Sequence, residues 1–248
     1  MPAFDQRYII IGDVHGNWRS TEILLEKVHY QPGKDRLIFV GDYNDYRSDS
    51  NFSVRATVHQ LIKLHQCAPE HVFFVRGNHD LWFRNWLLHG GEPSSFWQMQ
   101  GGEQTLESYR DSVAETGQLG PESIPSSHKD FICDLVDQYY MDDEVVVVHG
   151  GFATELQMQL VSSGQTLSED DLESIVWERY FIFSEDDTEH AQYLKYFGER
   201  YLITGHNPEG PYVNPCNRKW LLVNCSPRGE RLCAAILEGK QEYEFISA

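Results

Sequence analysis

Short apolar runs alternate with helical stripes along the first third of the chain. The runs are rich in β-branched and aromatic residues, which predicts buried strands. The predicted strands are Tyr8–Ile11, Leu37–Val40 and Val72–Val75, and helical spacing predicts helices over Thr21–Tyr30 and Val54–Ile62. This β-α-β-α-β order indicates parallel strands joined by right-handed crossovers.

The remaining two thirds contain a helical part and then further strands. Residues 80–140 have a mainly helical pattern, and the next predicted strand is Val145–Val148. The acidic segments 168–174 and 184–190 predict helices that begin with serine as N-cap and acidic residues in the first turn. The last predicted strands are Tyr201–Thr204, Trp220–Asn224, Leu232–Leu237 and Tyr243–Ile246. Because the sequence contains no long low-complexity linker, we expect a single domain over residues 1–248, with a mainly helical insert at about 80–140.

Five predicted strands end in glycine beside Asp, His or Asn. The motifs are GDVHG at 12–16, GDYND at 41–45, GNHD at 77–80, HGG at 149–151 and GHNP at 205–208. Because ligand sites in open α/β sheets lie beyond the carboxyl ends of the strands, we expect these polar residues to meet at one rim. Glycine allows the sharp turns that such a site requires.

The polar residues at these strand ends have the chemistry of metal ligands. They are Asp13, His15, Asp42, Asn78, His149 and His206. Two carboxylates, one amide oxygen and three imidazoles suit two ions about 3.5–4 Å apart with a carboxylate between them. Oxygen and nitrogen ligands without thiolate favour manganese, iron, zinc, cobalt or nickel over calcium. Any one of the histidines alone could be a core residue, but the coincidence at five strand ends favours ligation.

Composition and charge narrow the classes of partner. The 248 residues carry 20 Lys and Arg against 38 Asp and Glu, a formal net charge of −18, which argues against binding to nucleic acid or to anionic lipid. No apolar run approaches the roughly 18 residues of a membrane span, and no signal peptide is indicated. Five cysteines without a C-x-x-C pair predict reduced thiols in a cytoplasmic protein.

Taken in order, the motifs resemble those of the calcineurin-like metallophosphoesterases. The branch that they resemble is that of the phosphoprotein phosphatases, which includes serine/threonine phosphatases and symmetrical diadenosine tetraphosphatases. Three further stretches share the resemblance: GGEQTLESY at 101–109, IVWERYF at 175–181 and NRKWLLVN at 217–224. It implies a four-layer α/β/β/α sandwich of two mixed sheets and two divalent ions, with manganese as the first expectation.

The resemblance also implies which residues hold each metal ion. Asp13 and His15 would hold the first ion and Asp42 would bridge the two. The second ion would be completed by Asn78, His149 and His206. A hydroxide between the ions would attack the phosphate in a single in-line step, without a phospho-enzyme.

The remaining implied roles concern the substrate. His79 would be the general acid that protonates the leaving oxygen, with Asp45 orienting its imidazole. Arg179 would hold the phosphate oxygens, and Arg47 is a candidate second clamp. The family usually has G-D-x-x-D-R-G where this chain reads GDYNDYR, so Tyr46 stands at the arginine position and Arg47 follows it.

Three functions remain open at this stage. The first is a phosphatase for phosphate monoesters, such as phosphoserine or phosphothreonine in a protein or a small phosphate ester. The others are a symmetrical dinucleoside tetraphosphate hydrolase and a weakly active, metal-bound interaction protein. Asp45 favours the first, because the tetraphosphate hydrolases typically lack an aspartate there.

The remaining expectations concern packing. We expect Trp82, Trp86, Phe96 and Trp97 to pack under the helical insert, with room for one of them to line a substrate groove. We expect Arg76 to form a buried structural salt bridge.

Overall fold

Two sheets form the centre of the fold. The computed structural model describes residues 6–45, 52–110, 119–224, 231–239 and 242–248. The strands within these ranges are β1 (Tyr8–Ile11), β2 (Arg36–Phe39), β3 (Val72–Phe74), β4 (Tyr140–Met141), β5 (Val145–Val147), β6 (Tyr201–Thr204), β7 (Tyr212–Val213), β8 (Trp220–Leu222), β9 (Cys233–Glu238) and β10 (Glu242–Ser247).

Both sheets are mixed: antiparallel strands lie at one edge of the first sheet and at both edges of the second. The first sheet has the order β10-β9-β1-β2-β3, in which β1, β2 and β3 are parallel. The second has the order β4-β5-β6-β8-β7, in which β5, β6 and β8 are parallel. In the antiparallel pairing of β9 with β1, Ile236 faces Ile9. The parallel β-α-β-α-β start predicted from the sequence is therefore confirmed.

Helices cover the outer face of each sheet. The helices of the described residues are α1 (Trp18–Lys27), α2 (Val54–Cys67), α3 (Asn78–His89), α4 (Ser95–Trp97), α5 (Glu103–Glu107), α6 (Ser126–Asp130), α7 (Glu155–Ser162), α8 (Glu169–Trp177) and α9 (Asp187–Phe197). Wider π-type turns follow α4 at Gln98–Gly102 and α6 at Phe131–Leu135.

The layers follow from the alternation of side chains along the strands. Ile10 of β1 points toward the second sheet and shares a buried cluster with Val147 and Ile203. Its neighbours Ile9 and Ile11 point the other way, into a cluster built with α1, α2 and α3. The second sheet packs its outer face on α7, α8 and α9 in the same manner. Because successive strand residues face opposite sides, each sheet needs cover on both faces, and the result is the predicted four-layer sandwich.

Two local expectations were wrong. Ser168 caps α8 as predicted, but α9 is capped by Asp186, whose side chain accepts from the nitrogen of Thr188, and not by Ser184. The Ser184 hydroxyl instead accepts from the main-chain nitrogen of Asp186, two residues along the chain. Arg76 is buried, but its guanidinium donates to the carbonyls of Ile132 and Val136 rather than to a carboxylate.

Candidate active site

Asp42 lies at the centre of the rim formed by the strand ends. It follows β2 in a left-handed conformation, with φ of 52°, and it is buried. Its Oδ1 accepts from the main-chain nitrogen of His79 at 3.0 Å, in the first turn of α3. Its Oδ2 lies 3.3 Å from Nε2 of His149 and 3.7 Å from Nε2 of His15. A carboxylate at a helix N-terminus is stabilised by the helix dipole, so α3 anchors this group.

The other nitrogen of each of these two histidines is already committed. Nδ1 of His15 donates to the carbonyls of Asn44 (3.0 Å) and Asp45 (2.8 Å), and Nδ1 of His149 donates to that of Val40 (2.9 Å). A carbonyl only accepts, so Nδ1 of each ring carries a hydrogen and Nε2 is the nitrogen that faces Asp42. Metal-bound histidines are typically oriented in this way.

Asn78 and His206 also lie close to the pair formed by Asp42 and His149. Oδ1 of Asn78 lies 3.1 Å from Nε2 of His149, and the ring centroids of His149 and His206 are 5.1 Å apart. Asp42, His149 and His206 each offer a ligand atom within 4.8 Å of the others. His15, Asp42 and His79 form a similar group. Four of the other five expected ligands, His15, Asn78, His149 and His206, therefore lie around the carboxylate of Asp42.

Asp13 lies at the same rim but is held differently. Its Oδ1 accepts from the nitrogen of His206 at 3.0 Å and its Oδ2 accepts from Nδ2 of Asn224 at 2.7 Å. A Cβ at Gly205 would lie 2.3 Å from that Oδ1, so this close approach of strand end and carboxylate requires glycine. Asp13 belongs to neither of the two donor groups above.

Burial and opposite charge perturb the ionisation of these residues. Burial raises the pKa of Asp13. Burial alone would raise the pKa of Asp42 too, but His149 and His79 beside it hold that pKa well below its usual value. Burial acts to lower the pKa of His149, yet the Asp42 carboxylate raises it to about 9. Burial and the neighbouring His149 lower the pKa of His206 to about 2. These opposed shifts in one cleft are typical of functional sites.

His79 and Asp45 form the predicted pair. Nδ1 of His79 lies 2.9 Å from Oδ2 of Asp45, and the Asp45 carboxylate is buried while the imidazole is partly open to solvent. Burial acts to lower the pKa of His79, but the charge of Asp42 and the hydrogen bond to Asp45 raise it to about 9. The ring of His79 stands edge-on to that of His15, with centroids 4.9 Å apart.

Arg179 reaches the site from the loop after α8. Its Nη1 donates to Oδ1 of Asn207 at 3.2 Å, and Nδ2 of Asn207 donates back to the Arg179 carbonyl at 2.9 Å. Arg179 lines the same cavity as the metal-ligand candidates. Arg47, and Tyr46 before it, lie outside the described residues.

The rim opens into a cavity of about 360 Å³. Its wall contains three aromatic rings, of Trp82, Phe96 and Trp177, with Trp82 centred 5.4 Å from each of the other two. Trp82 also stands edge-on to His79 at 4.9 Å. Trp86 and Trp97 are buried, as expected for the insert. Two of the four aromatic residues expected to pack under the insert therefore face the cavity instead.

Sequence reasoning missed Asp80 and Asn224. Asp80 is fully buried and accepts hydrogen bonds from the main-chain nitrogens of Asp42, Tyr43 and Gly77, at 2.8, 2.9 and 2.8 Å. The signal for Asp80 was its place at the end of GNHD, and that for Asn224 its place at the end of a predicted strand. Neither position in the sequence predicts that Asp80 accepts from main-chain nitrogens or that Asn224 donates to Asp13.

The donor set fits bound cations. Because Nδ1 of His149 is committed to the carbonyl of Val40, its Nε2 is the nitrogen that faces Oδ2 of Asp42 and Oδ1 of Asn78, and these three atoms could ligate one cation. Nε2 of His206 is buried and makes no hydrogen bond within the described part of the chain. A buried polar atom without a partner is uncommon, and a metal ion would satisfy it.

A comparison with protein families matches this geometry. Residues 6–210 match the model of the calcineurin-like phosphoesterases. The chain belongs to this family. The predicted resemblance is thereby confirmed, and the protein is a hydrolase of the metallophosphoesterase class, whose members depend on metal ions. No curated protein is significantly similar to the chain in sequence.

Solved structures show the same fold at low sequence identity. A putative diadenosine tetraphosphatase is 17% identical with a TM-score of 0.58, over 100% of this chain and 95% of that one. A mutant of a cold-active protein tyrosine phosphatase is 16% identical with a TM-score of 0.65, over 96% and 80%. A protein serine/threonine phosphatase from Saccharomyces cerevisiae is 14% identical with a TM-score of 0.55, over 98% and 79%. No helix of the described residues is long and apolar enough to span a membrane.

Proposed function

We propose that this protein is a two-metal phosphatase that hydrolyses phosphate monoesters, among them phosphoserine and phosphothreonine in proteins. The observation that carries the proposal is the convergence of possible metal ligands around Asp42, beside the His79–Asp45 pair in which Nδ1 and Oδ2 are 2.9 Å apart. Ligands alone would fit many metal sites, whereas a histidine with its own carboxylate next to them fits the protonation of a leaving group.

The ligand assignment starts from the two groups of possible ligands, adds Asp13 and Asn78 from the family resemblance, and leaves His79 for another role. His15, Asp13 and Asp42 would hold one ion, and Asp42, Asn78, His149 and His206 the other, with Asp42 shared. Divalent ions bound there would withdraw charge from the phosphate and lower the pKa of a water molecule. The mixture of imidazole nitrogen and carboxylate or amide oxygen supports manganese first, with iron, zinc, cobalt or nickel as alternatives.

His79 acts on the leaving group in this proposal. Its Nδ1 is fixed by Asp45, so the proton available for transfer is the one on Nε2, which leaves with the departing oxygen when the P–O bond breaks. The hydrogen bond to Asp45 acts to raise the pKa of His79 and so favours the protonated ring that donates to the leaving oxygen. Asp45 also favours a phosphatase for monoesters over a tetraphosphate hydrolase, because the tetraphosphate hydrolases typically lack an aspartate at this position.

Arg179 is proposed to bind the phosphate oxygens. It lines the cavity, and its hydrogen bond to Asn207 fixes one edge of the guanidinium. A planar fork matches a phosphate bidentately, which a lysine does not. Arg47 remains a candidate second clamp that the described residues do not reach.

A dinucleoside tetraphosphate hydrolase is the second candidate. Two observations favour it: the match to a putative diadenosine tetraphosphatase over 95% of that chain, and the rings of Trp82, Phe96 and Trp177 in the cavity wall, which could stack on a nucleobase. The formal net charge of −18 opposes it, because a tetraphosphate carries more negative charge than a monoester.

One substrate panel separates the two candidates. The manganese-loaded protein is assayed with p-nitrophenyl phosphate, a phosphoserine peptide, a phosphothreonine peptide and a symmetrical dinucleoside tetraphosphate. We expect turnover of the nitrophenyl ester and of at least one peptide with a higher kcat/KM than that of the tetraphosphate. A tetraphosphate preferred by tenfold or more would establish the second candidate, and no turnover of any ester by fully metal-loaded protein would overturn both.

The setting of the enzyme is also part of the proposal. The cysteine pattern supports a cytoplasmic protein with reduced thiols, and the acidic charge supports phosphorylated proteins or small phosphate esters as partners over nucleic acid or membrane. We further propose one domain over residues 1–248, with residues 80–140 as its insert.

A further inference from the structure

Two side chains of the insert converge on Asp45. Nε1 of Trp97, the last residue of α4, donates to Oδ2 of Asp45 at 2.7 Å. Oγ1 of Thr105, in α5, donates to Oδ1 at 2.5 Å and accepts from the main-chain nitrogen of Asp45 at 2.9 Å. All three residues are almost fully buried. The carboxylate therefore has a partner for each oxygen besides His79, which shares Oδ2 with the indole.

The chain between Trp97 and Thr105 is shaped for this double contact. Gly101 has φ of 112°, a conformation that side chains rarely adopt. A Cβ at Gly102 would lie 2.7 Å from the indole of Trp97, so the turn can fold back onto that ring only with glycine there. The two glycines of GGEQT thus let the wide turn Gln98–Gly102 bring the indole and the threonine hydroxyl to one carboxylate.

Asp45 depends on this support because its own backbone is strained. It has φ of 61°, and such residues persist only where the surroundings hold them. A carboxylate with one bond per oxygen from fixed donors cannot rotate, whereas a carboxylate bonded to His79 alone could turn with the imidazole. The remaining ring neighbours of His79 are edge contacts with His15 and Trp82.

We propose that Trp97 and Thr105 are positioning residues that fix the direction of the His79 imidazole through Asp45. The inference rests on the proposed role of His79 as general acid, and it gives the helical insert a part in the reaction. Without the two donors, Nε2 of His79 samples a wider arc and meets the leaving oxygen less often. Substrate binding is unaffected, because neither Trp97 nor Thr105 lines the cavity.

The test compares matched variants on two substrates. Thr105→Val keeps the shape of the side chain and removes the hydroxyl that contacts Asp45. Trp97→Phe keeps an aromatic side chain, although a smaller one, and removes the indole N–H. Thr105→Ser restores the hydroxyl. Trp86→Phe is the control for the loss of an indole. Trp86 is also buried and packs against the ring of Trp97, with centroids 6.1 Å apart, but its Nε1 donates to the carbonyl of Gly91 and not to Asp45.

A general acid contributes roughly 100- to 10,000-fold, and most for poor leaving groups. For Thr105→Val and Trp97→Phe we expect kcat on an alkyl phosphate to fall about tenfold, with little change on p-nitrophenyl phosphate and KM unchanged on both. Thr105→Ser should recover the alkyl activity, and Trp86→Phe should retain it. Equal losses on both esters, or the same alkyl-specific loss in Trp86→Phe, would overturn the proposal.

A measurement without turnover separates this proposal from the proposed function. In the NMR spectrum of the metal-free protein, the Nδ1–H of His79 should give a slowly exchanging signal that His79→Asn removes. Thr105→Val and Trp97→Phe should broaden or lose that signal, and Trp86→Phe should keep it. An inactive wild type with this pattern intact would defeat the phosphatase proposal but not the anchoring of the imidazole. A signal unchanged in both variants would defeat the anchoring itself.

Discussion

The carboxylate of Asp80 holds the main-chain nitrogen of Asp42 at 2.8 Å. It also accepts from the nitrogens of Tyr43 and Gly77, so one buried side chain ties the loop after β2 to the start of α3. Asp42 adopts φ of 52°, and a residue in that conformation needs such restraint. Asp80, which would contact no metal ion, thus fixes the position of Asp42, the proposed bridging ligand.

Replacing Asp80 with asparagine should loosen this loop. Asparagine keeps one oxygen and turns an NH₂ toward main-chain donors, which leaves buried groups without acceptors at a cost of about 1–3 kcal/mol. We expect a lower free energy of unfolding by urea and weaker manganese binding. Asp170→Asn, at an exposed helix start, is the control. An Asp80→Asn protein with wild-type stability and metal content would refute the role given to Asp80.

Arg179→Ala should lower kcat/KM by about 100-fold, equivalent to about 2.7 kcal/mol. The reason is the loss of a charged, bidentate contact to phosphate, which Arg179→Lys should not restore. Steady-state kinetics on p-nitrophenyl phosphate measures both variants, with exposed Arg218→Ala as the control. If Arg179→Ala is no slower than Arg218→Ala, then Arg179 does not bind the phosphate.

His79→Asn should retain its metal ions and lose roughly 100- to 10,000-fold in kcat on an alkyl phosphate. The loss should shrink for p-nitrophenyl phosphate, because nitrophenolate departs without needing a proton. Elemental analysis together with kinetics on the two esters checks this. Since His79 also stands in a donor group with His15 and Asp42, lost metal in the variant would show it to be a ligand instead.

His128 should make stability depend on pH below neutrality. Burial, with help from His59 and Arg55, lowers its pKa to about 4 from 6.5. The folded state therefore resists the proton that the unfolded state accepts. This contribution is present above about pH 6.5 and is lost at up to about 1.4 kcal/mol per pH unit as the pH falls toward 4.

Urea unfolding of the wild type and of His128→Gln between pH 7 and 4 isolates this dependence. Nδ1 of His128 contacts the hydroxyl of Tyr109 at 3.0 Å, and glutamine can keep that bond without titrating. The variant should lose less stability than the wild type over this range. Parallel pH profiles for the two proteins would contradict the assignment.

The sequence predicted the parts of the site that depend on local pattern. Tyr8–Ile11 and Val145–Val147 are short β-rich runs, and the ligands follow each strand within a few residues. What could not be predicted depends on contacts between distant segments. A tryptophan such as Trp97 is typical of a protein core. Only the folded turn shows that its indole nitrogen contacts Asp45, 52 positions earlier in the chain.

Capping illustrates the same limit at short range. Serine and aspartate both suit the start of a helix, so the segment 184–190 could not show which residue would cap α9. The structure gives that position to Asp186.

The shared carboxylate of Asp42 is the central claim, and counting metal ions tests it most directly. Elemental analysis of manganese-loaded protein should give two ions per chain for the wild type and one for His149→Ala, which loses a ligand of one ion only. Asp42→Asn should retain less than one, because it weakens both sites, while circular dichroism confirms that it is folded. Two full ions in folded Asp42→Asn would contradict the account.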